Sequence, residues 1–388
     1  MAGTINSLGL GSGVLTADVI EKLKKNDETL SITPITNKIA LQQQKSSALD
    51  LLRSLMTSFQ GSVSALDDDT LYQKRSVSGS NSSVSVTADS GVAIQSFSIS
   101  DIVLAQQNVK ESGQFASTSS TIATGSGTMT LSIDGTDYEI NYTSSTTLSS
   151  LSESINSIAG ASVKASTLQV GENDYRLVLT SVETGEDQVI SIADSSGGAL
   201  KSELLAYDGT TNPTGMQELQ AAKNASFKYN GVTISRSSNE IDDIITGVTI
   251  NLLGETTSSA NISISQDVTA ISDELSMFVS NYNSLMSEIN NMTTSDTEAG
   301  TVGIFNGDST INSIRREITK ILTSINDSGL SLGQFGIDLS QTGVMTFNTS
   351  TFTTKFNEDK EASEKFFSGF TTLDSYDNST TTDGVFST

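Results

Sequence analysis

Apolar residues recur every three or four positions toward both ends of the chain and every second position through its middle. Helical ends around a β-rich centre are therefore predicted. The first helix covers residues 18 to 30. Asp18 with Glu21 three positions on gives a capping-box pattern, and Ile20, Leu23 and Leu30 supply a thin apolar stripe. Thr33-Pro34 reads as N-cap and first position of a second, longer helix. Along it Ile35, Ile39, Leu41, Ala48, Leu49, Leu52, Leu55, Met56, Phe59, Val63 and Leu66, spaced mostly three and four apart, form a coiled-coil-like seam about 50 Å long at about 1.5 Å per residue. A seam of that length is not stable alone in water, so it implies a helical mate. The matching pattern returns at residues 268 to 290 and again at 311 to 325. Packing of Leu52, Leu55 and Phe59 against Phe278, Tyr282 and Leu285 is the expectation.

After Leu71 the period falls to two. Val84 and Val86, then Ile94, Phe97, Ile99 and Val103, predict strands, and residues 112 to 126, rich in Ser, Thr and Gly, read as a linker. Met129, Leu131 and Ile133 alternate up to Asp134-Gly135, and Tyr138, Ile140 and Tyr142 return, which makes a hairpin. A short helix through Leu148, Leu151, Ile155 and Ile158 follows, then strands near Val163, Leu177 and Val189, before a second soft stretch from Ser195 to Pro213. Strands resume at Phe227 and Tyr229, with Asn230-Gly231 as a type I′ turn before Val232 and Ile234. Strand signals on both sides of a linker-flanked block mark that block as an insertion. The fold class expected is α+β, with helical ends and two β-rich domains, one inserted into the other.

Composition narrows the chemistry. Among 388 residues there is no cysteine, histidine or tryptophan, and only Pro34 and Pro213. Disulfides, Cys/His zinc sites and Ser-His-Asp or Cys-His nucleophiles are thus excluded. The balance of 45 acids against 21 bases, net −24, argues against a nucleic-acid partner, for which a basic stripe is needed. Asp67-Asp68-Asp69 reads as a solvated turn. A carboxylate-only hydrolase needs two acids about 5 to 9 Å apart, and no pair stands out from solvated loops. No run of 18 apolar residues predicts a membrane span, and the start of the chain lacks the pattern of a cleaved secretory signal. The expectation is either retention in the cytoplasm or export by a route that reads no such signal. No catalytic, cofactor or metal residue is assigned.

The opening stretch SLGLGSGVLTADVIEKL, residues 7 to 23, sets Gly9, Gly11 and Gly13 two apart. A dinucleotide loop must leave a buried strand, and no strand pattern precedes Gly9; no phosphate-binding lysine follows. What remains is a flexible segment carrying Leu8, Leu10, Val14 and Leu15. It reads either as an inert tail or as a docking segment that orders on a partner.

Six stretches in order carry a family resemblance that covers nearly the whole chain. They are the opening stretch itself, GVAIQSFSISDIVLAQQNV (91 to 109), the pair SLSESINSIAGASVKAS and YRLVLTSVETGEDQVISI, ASFKYNGVTISRSSNEIDDIITGVTINLLG (225 to 254), FVSNYNSLMSEIN (278 to 290) and SLGQFGIDLSQTGVMTFN (331 to 348). Together they resemble the flagellar filament cap family, also called flagellar hook-associated protein 2. In that family a further long helical segment pairs with the N-terminal helix. This sequence stops at DGVFST, so the resemblance implies a C-terminally incomplete chain.

The resemblance implies a non-enzymatic assembly factor: a homo-oligomeric ring at the distal filament tip, with a pentamer as the expected number although relatives differ. It promotes folding and insertion of exported flagellin and prevents its leakage. The implied partners are flagellin subunits, the filament tip, the flagellar export apparatus and an export chaperone. The implied location is extracellular, at the flagellum tip, after passage through the export channel. Leu8, Leu10, Val14 and Leu15 then dock on neighbouring subunits at the filament end. Another flagellar axial protein, a junction protein or flagellin-like subunit, is the alternative, and an adhesive role for the β domains is compatible with the first. The expected division is 1–33, a flexible docking and export segment with a short helix; 34–75 plus 268–370, a helical leg; 76–112 plus 222–267, a β-rich head domain; 113–221, an inserted ββα-type head domain; and 371–388, a linker toward the missing segment.

Overall fold

The long N-terminal seam forms helix without a break where one was expected. In the computed structural model, which describes residues 17–196, 198–296, 300–322, 330–373 and 379–387, helix α1 (Ala17–Asp27) runs through one π-helical turn, Glu28–Ile32, into α2 (Thr33–Asp67). Thr33 is itself helical. Its backbone N–H and its hydroxyl (3.0 Å) both donate to the Glu28 carbonyl five residues back. Proline has no N–H to donate and its ring clashes with the carbonyl four residues earlier, so the wider turn makes room for Pro34 within a continuing helix. The expected N-cap at Thr33 is thereby corrected. Asp18 also lies inside α1, where it pairs with Lys22 at 2.8 Å.

Two compact units divide the chain: one runs to Tyr72 and resumes at Asp267, and the other is Gln73–Gln266. In the first, α2 and the short α3 (Asp69–Gln73) precede the excursion. Beyond helix α4 (Leu148–Ile158) of the other unit come α5 (Val268–Thr293), α6 (Ser309–Leu322), α7 (Thr349–Glu358) and α8 (Lys360–Ser368). Asp267, Asn348 and Asp359 cap α5, α7 and α8, each accepting from the backbone N–H three residues on at 3.0 Å. The acidic run is only partly solvent-facing: Asp68 accepts from Thr70 N–H, and Asp67 accepts from the Ser387 hydroxyl at 2.8 Å.

One apolar core fills this unit, and a phenylalanine cluster closes it. Phe335 stacks on Phe366 at 4.9 Å, and Phe386 packs on Phe278 at 4.9 Å and on Phe367 at 5.8 Å. Phe386 is 1 % exposed, so this part of the segment expected as a linker lies inside the core. Gly369 and Gly384 let the chain come in that close: a Cβ on Gly384 would sit 2.3 Å from both Gly369 N and the Phe367 carbonyl oxygen.

In the second unit, two antiparallel sheets enclose one core. The five-stranded sheet has the order Arg75–Ser78, Ala260–Gln266, Gln95–Val103, Ala225–Tyr229, Val232–Arg236. The three-stranded sheet has the order Glu240–Ile245, Val248–Leu252, Val84–Ala88. Strict alternation buries Phe97, Ile99, Ile262 and Ile264 from one sheet against Val84, Val86 and Ile250 from the other. Asn230 and Gly231 take φ of 47° and 83°, the positive values a type I′ turn needs. Asn230 also accepts from Ser98 N–H at 2.8 Å, which ties the turn to the next strand.

Residues between Gln95–Val103 and Ala225–Tyr229 build a second, separate core around α4. The chain enters and leaves side by side, with Gln106 and Lys223 exchanging backbone hydrogen bonds of 2.8 and 3.2 Å. Val109–Glu111 pairs with residues 178–180, so the hydrogen-bonded sheet of these intervening residues begins at 109 and not at 113. Both soft stretches are corrected. Phe115, Ile122 and Ala123 lie in the core of the 112–126 segment, and Leu200 and Leu204 in that of 195–213. Their backbones are paired without regular strands: Phe115 and Tyr175 exchange bonds of 2.8 Å, and Lys201 N–H donates to the Ile122 carbonyl at 2.9 Å. Sequence composition alone misses this because Ser, Thr and Gly make the same hydrogen bonds in a packed irregular segment as in an open one.

Candidate assembly surface

The two halves of α2 differ in what covers them. From Ala48 onward most of the seam packs into the core that α5 shares, while Leu49 and Met56 stay 45 and 38 % exposed. Leu52 and Leu66 are buried, and Leu55, Phe59 and Val63 are partly buried against the same core. Phe59 meets Phe278 at 5.3 Å and Tyr282 at 6.2 Å between ring centroids, and Leu285 is fully buried. The six residues named for helical packing thus lie in one core, four of them buried and Leu55 and Phe59 partly so. Asn281 adds a hydrogen bond from its side chain to the Ser58 carbonyl at 3.2 Å.

N-terminal to that contact the stripe is bare. Leu23, Leu30, Ile32, Ile35 and Ile39 are 54 to 68 % exposed. Ile35, Lys38, Ile39, Gln42, Gln43 and Ser46 line a shallow groove of about 400 Å³. Large aliphatic side chains at helical spacing on a solvent-facing stripe mark an interaction surface, because each leaves transferable apolar area in water. Its flanks carry both signs: Lys22, Lys24 and Lys25 stand among Asp18, Glu21, Asp27 and Glu28, so the stripe and not net charge is its distinguishing feature. Leu8, Leu10, Val14 and Leu15 lie outside the described residues.

Among the described residues no three acidic side chains gather as a metal site, and no helix is long and apolar enough to cross a membrane. Asp208 is lowered to about 2 because the Thr211 hydroxyl, with backbone N–H groups of Asn212, Thr210 and Thr211, donates to it. That makes it a staple of an exposed turn and a poor proton donor or acceptor near neutrality. Tyr72 of α3, just past the buried half of α2, donates to the Leu66 carbonyl at 2.7 Å. Burial first, then Glu364, Asp67 and Asp69, raises its pKa well above the ordinary value. Sequence reasoning missed the closing cluster of Phe335, Phe352, Phe356, Phe366 and Phe367; the helical spacing of Phe352 and Phe356 and the adjacent pair Phe366-Phe367 were the available signals.

Comparison with known proteins now adds to this geometry. Residues 12–108 match the family description "Flagellar hook-associated protein 2 N-terminus", and residues 222–388 match its "C-terminus". Flagellar hook-associated protein 2 of Campylobacter jejuni is 33 % identical over 95 % of this chain, which spans 65 % of that relative's length. The protein of the same name from Escherichia coli K12 is 30 % identical over 86 % of this chain and 74 % of its own. The crystal structure of the flagellar cap protein FliD D1-D2-D3 domains from Escherichia coli superposes with a TM-score of 0.62 at 29 % identity, covering 82 % of this chain and 89 % of that one. An α+β fold with helices and several antiparallel sheets is common ground. On both terminal signatures and the extent of the shared sequence, this chain belongs to the flagellar hook-associated protein 2 family.

Proposed function

We propose that this chain caps the distal tip of a bacterial flagellar filament as a non-enzymatic, ring-shaped homo-oligomer that promotes insertion of exported flagellin and limits its loss. The observation that carries this reading is the bare apolar stripe of α1 and the first half of α2, on a chain that belongs to a flagellar family. A chain that works alone has no use for five large aliphatic residues in water along one helix. A chain that inserts between neighbouring subunits does, since covering each contributes roughly 1.5–3 kcal/mol where burial is complete. In this reading Leu8, Leu10, Val14 and Leu15 extend the same docking surface, and the glycines among them keep the segment unstructured until it binds. Passage through the flagellar export channel with an export chaperone, and a final location outside the cell at the filament tip, complete the proposal. The inserted module, expected over 113–221, takes in Val109–Glu111 as well.

The test is complementation of a strain that lacks its own flagellar hook-associated protein 2. The unaltered chain should restore filaments and reduce free flagellin in the medium. The triple substitution Ile32→Ser, Ile35→Ser, Ile39→Ser should be secreted yet leave filaments short or absent. Ordinary filaments from the triple variant would remove the stripe from the mechanism. Failure of the unaltered chain to change flagellin loss would remove the cap reading itself.

A further inference from the structure

Within Gln73–Gln266, the core around α4 and the core between the five- and three-stranded sheets have no residue in common. The chain crosses between them twice, where Gln106 and Lys223 lie side by side. Domains joined only by two such strands swing relative to one another, because the strands serve as a hinge. A third contact stands against that motion here. After strand Asp174–Ser181 of the α4 domain, the turn Thr184-Gly185-Glu186 lies on the β-rich domain. Its three consecutive residues reach three separate points there. The Thr184 hydroxyl donates to the Ser237 carbonyl at 2.5 Å, Gly185 N–H to the Gln106 carbonyl at 3.2 Å, and Glu186 N–H to Asn224 Oδ1 at 2.9 Å. Just before the turn, Gln107 Nε2 donates to the Val182 carbonyl at 2.8 Å.

The fit at the middle of the turn is close. Gly185 is buried with φ of 116°, a conformation that side chains other than glycine's strain to adopt. A Cβ there would stand 2.7 Å from Ser237 Cβ and 3.1 Å from Asn224 Oδ1. The bonds across this contact run between neutral groups, whereas the pairs Arg176–Glu111, Lys228–Asp101 and Arg236–Asp243 each stay within one domain. Salt therefore has little purchase on it. Attachment at three points resists the rotation that two adjacent strands allow. We propose that this turn is a latch that holds the α4 domain in one orientation on the β-rich domain, and that without it the α4 domain swings on its two crossing strands.

Pulsed electron paramagnetic resonance on the full chain tests it. Since the chain has no cysteine, Thr136→Cys and Ser259→Cys, both exposed, place one spin label on each domain. The distance distribution should be single and narrow, and equally so at low and high salt. Gly185→Val, which drives the turn off its seat, should widen it at least about twofold. Thr184→Val/Asn224→Ala removes two of the three attachments without adding bulk and should widen it as well. In both variants, amide exchange within α4 and within strand Ala260–Gln266 should stay as slow as in the unaltered chain, which separates a loosened joint from a lost core. If Gly185→Val fails to fold, the double variant decides. A broad distribution in the unaltered chain, or a narrow one in the folded double variant, would overturn the latch. Widening by salt alone would overturn it too, since charge would then hold the joint.

Discussion

Residues 33–48 and 49–67 of α2 carry the same three-four alternation, yet Ile35 and Ile39 are 60 and 54 % exposed while Leu52 and Leu66 are 3 and 0 % exposed. Propensity does not favour the covered half: Pro34 is absorbed by the π turn, and the one glycine of α2, Gly61, lies in the covered half. What differs is the mate. Helix α5 has 26 residues against 35 in α2, roughly 39 Å against 52 Å, so it covers α2 only in part. Periodicity therefore reports that a face is to be covered and says nothing of whether the cover lies in the same chain. A seam that outruns its partner is a surface with work elsewhere.

The contrast is broken most severely at the covered end. Phe278→Ala removes the ring against which Phe59 and Phe386 pack and should cost about 3–5 kcal/mol of the helical unit's stability, read by denaturant unfolding. A loss under 1 kcal/mol would mean that the cover is loose and the two halves are more alike than their burial indicates. Sharper still is the paired comparison along the helix. Leu52→Ala should cost about 2–5 kcal/mol, whereas Ile39→Ala should stay within about 0.5 kcal/mol of wild type in the isolated chain. Equal effects would contradict the division.

A smaller effect marks where the covered half ends. Tyr72→Phe removes the bond to the Leu66 carbonyl and should cost about 0.5–1.5 kcal/mol near neutral pH. It should also change the alkaline limb. The Tyr72 pKa is raised on folding above its ordinary 10.0, so its stabilising contribution is fully present below pH 10 and is lost as pH climbs toward the folded value. The phenylalanine variant should therefore lose less stability than wild type between pH 10 and the folded pKa. Parallel curves through that window would show that the phenol does not titrate with unfolding.

Much of this was legible beforehand because it rests on local rules. The α2 and α5 seams, the Asp134-Gly135 and Asn230-Gly231 turns with positive φ, and the alternating strands around Phe97 and Ile262 follow from side-chain period and backbone sterics. What was not legible depends on partners distant in sequence. Ile122 looks like loop until Thr146 and Lys201 take up its backbone groups, and Phe386 looks like linker until Phe278 and Phe367 enclose it. Pro34 misled in another way, since a proline that begins many helices here follows a π turn inside one. Apart from Ile32, the apolar residues of the stripe were visible in the first helix and the seam, but their exposure was not, because that depends on how far α5 reaches.

The central claim is that the first half of α2 is completed by another chain. Backbone amide hydrogen exchange, measured on the isolated chain and again on the chain assembled at filament tips, tests it directly. Residues 52–66 should be protected in both states. Amides of residues 33–47 should exchange rapidly in the isolated chain, as expected for a helix segment without tertiary cover, and become protected by at least about tenfold on assembly. Rapid exchange of 33–47 in both states would contradict the account, as would full protection of that segment in the isolated chain.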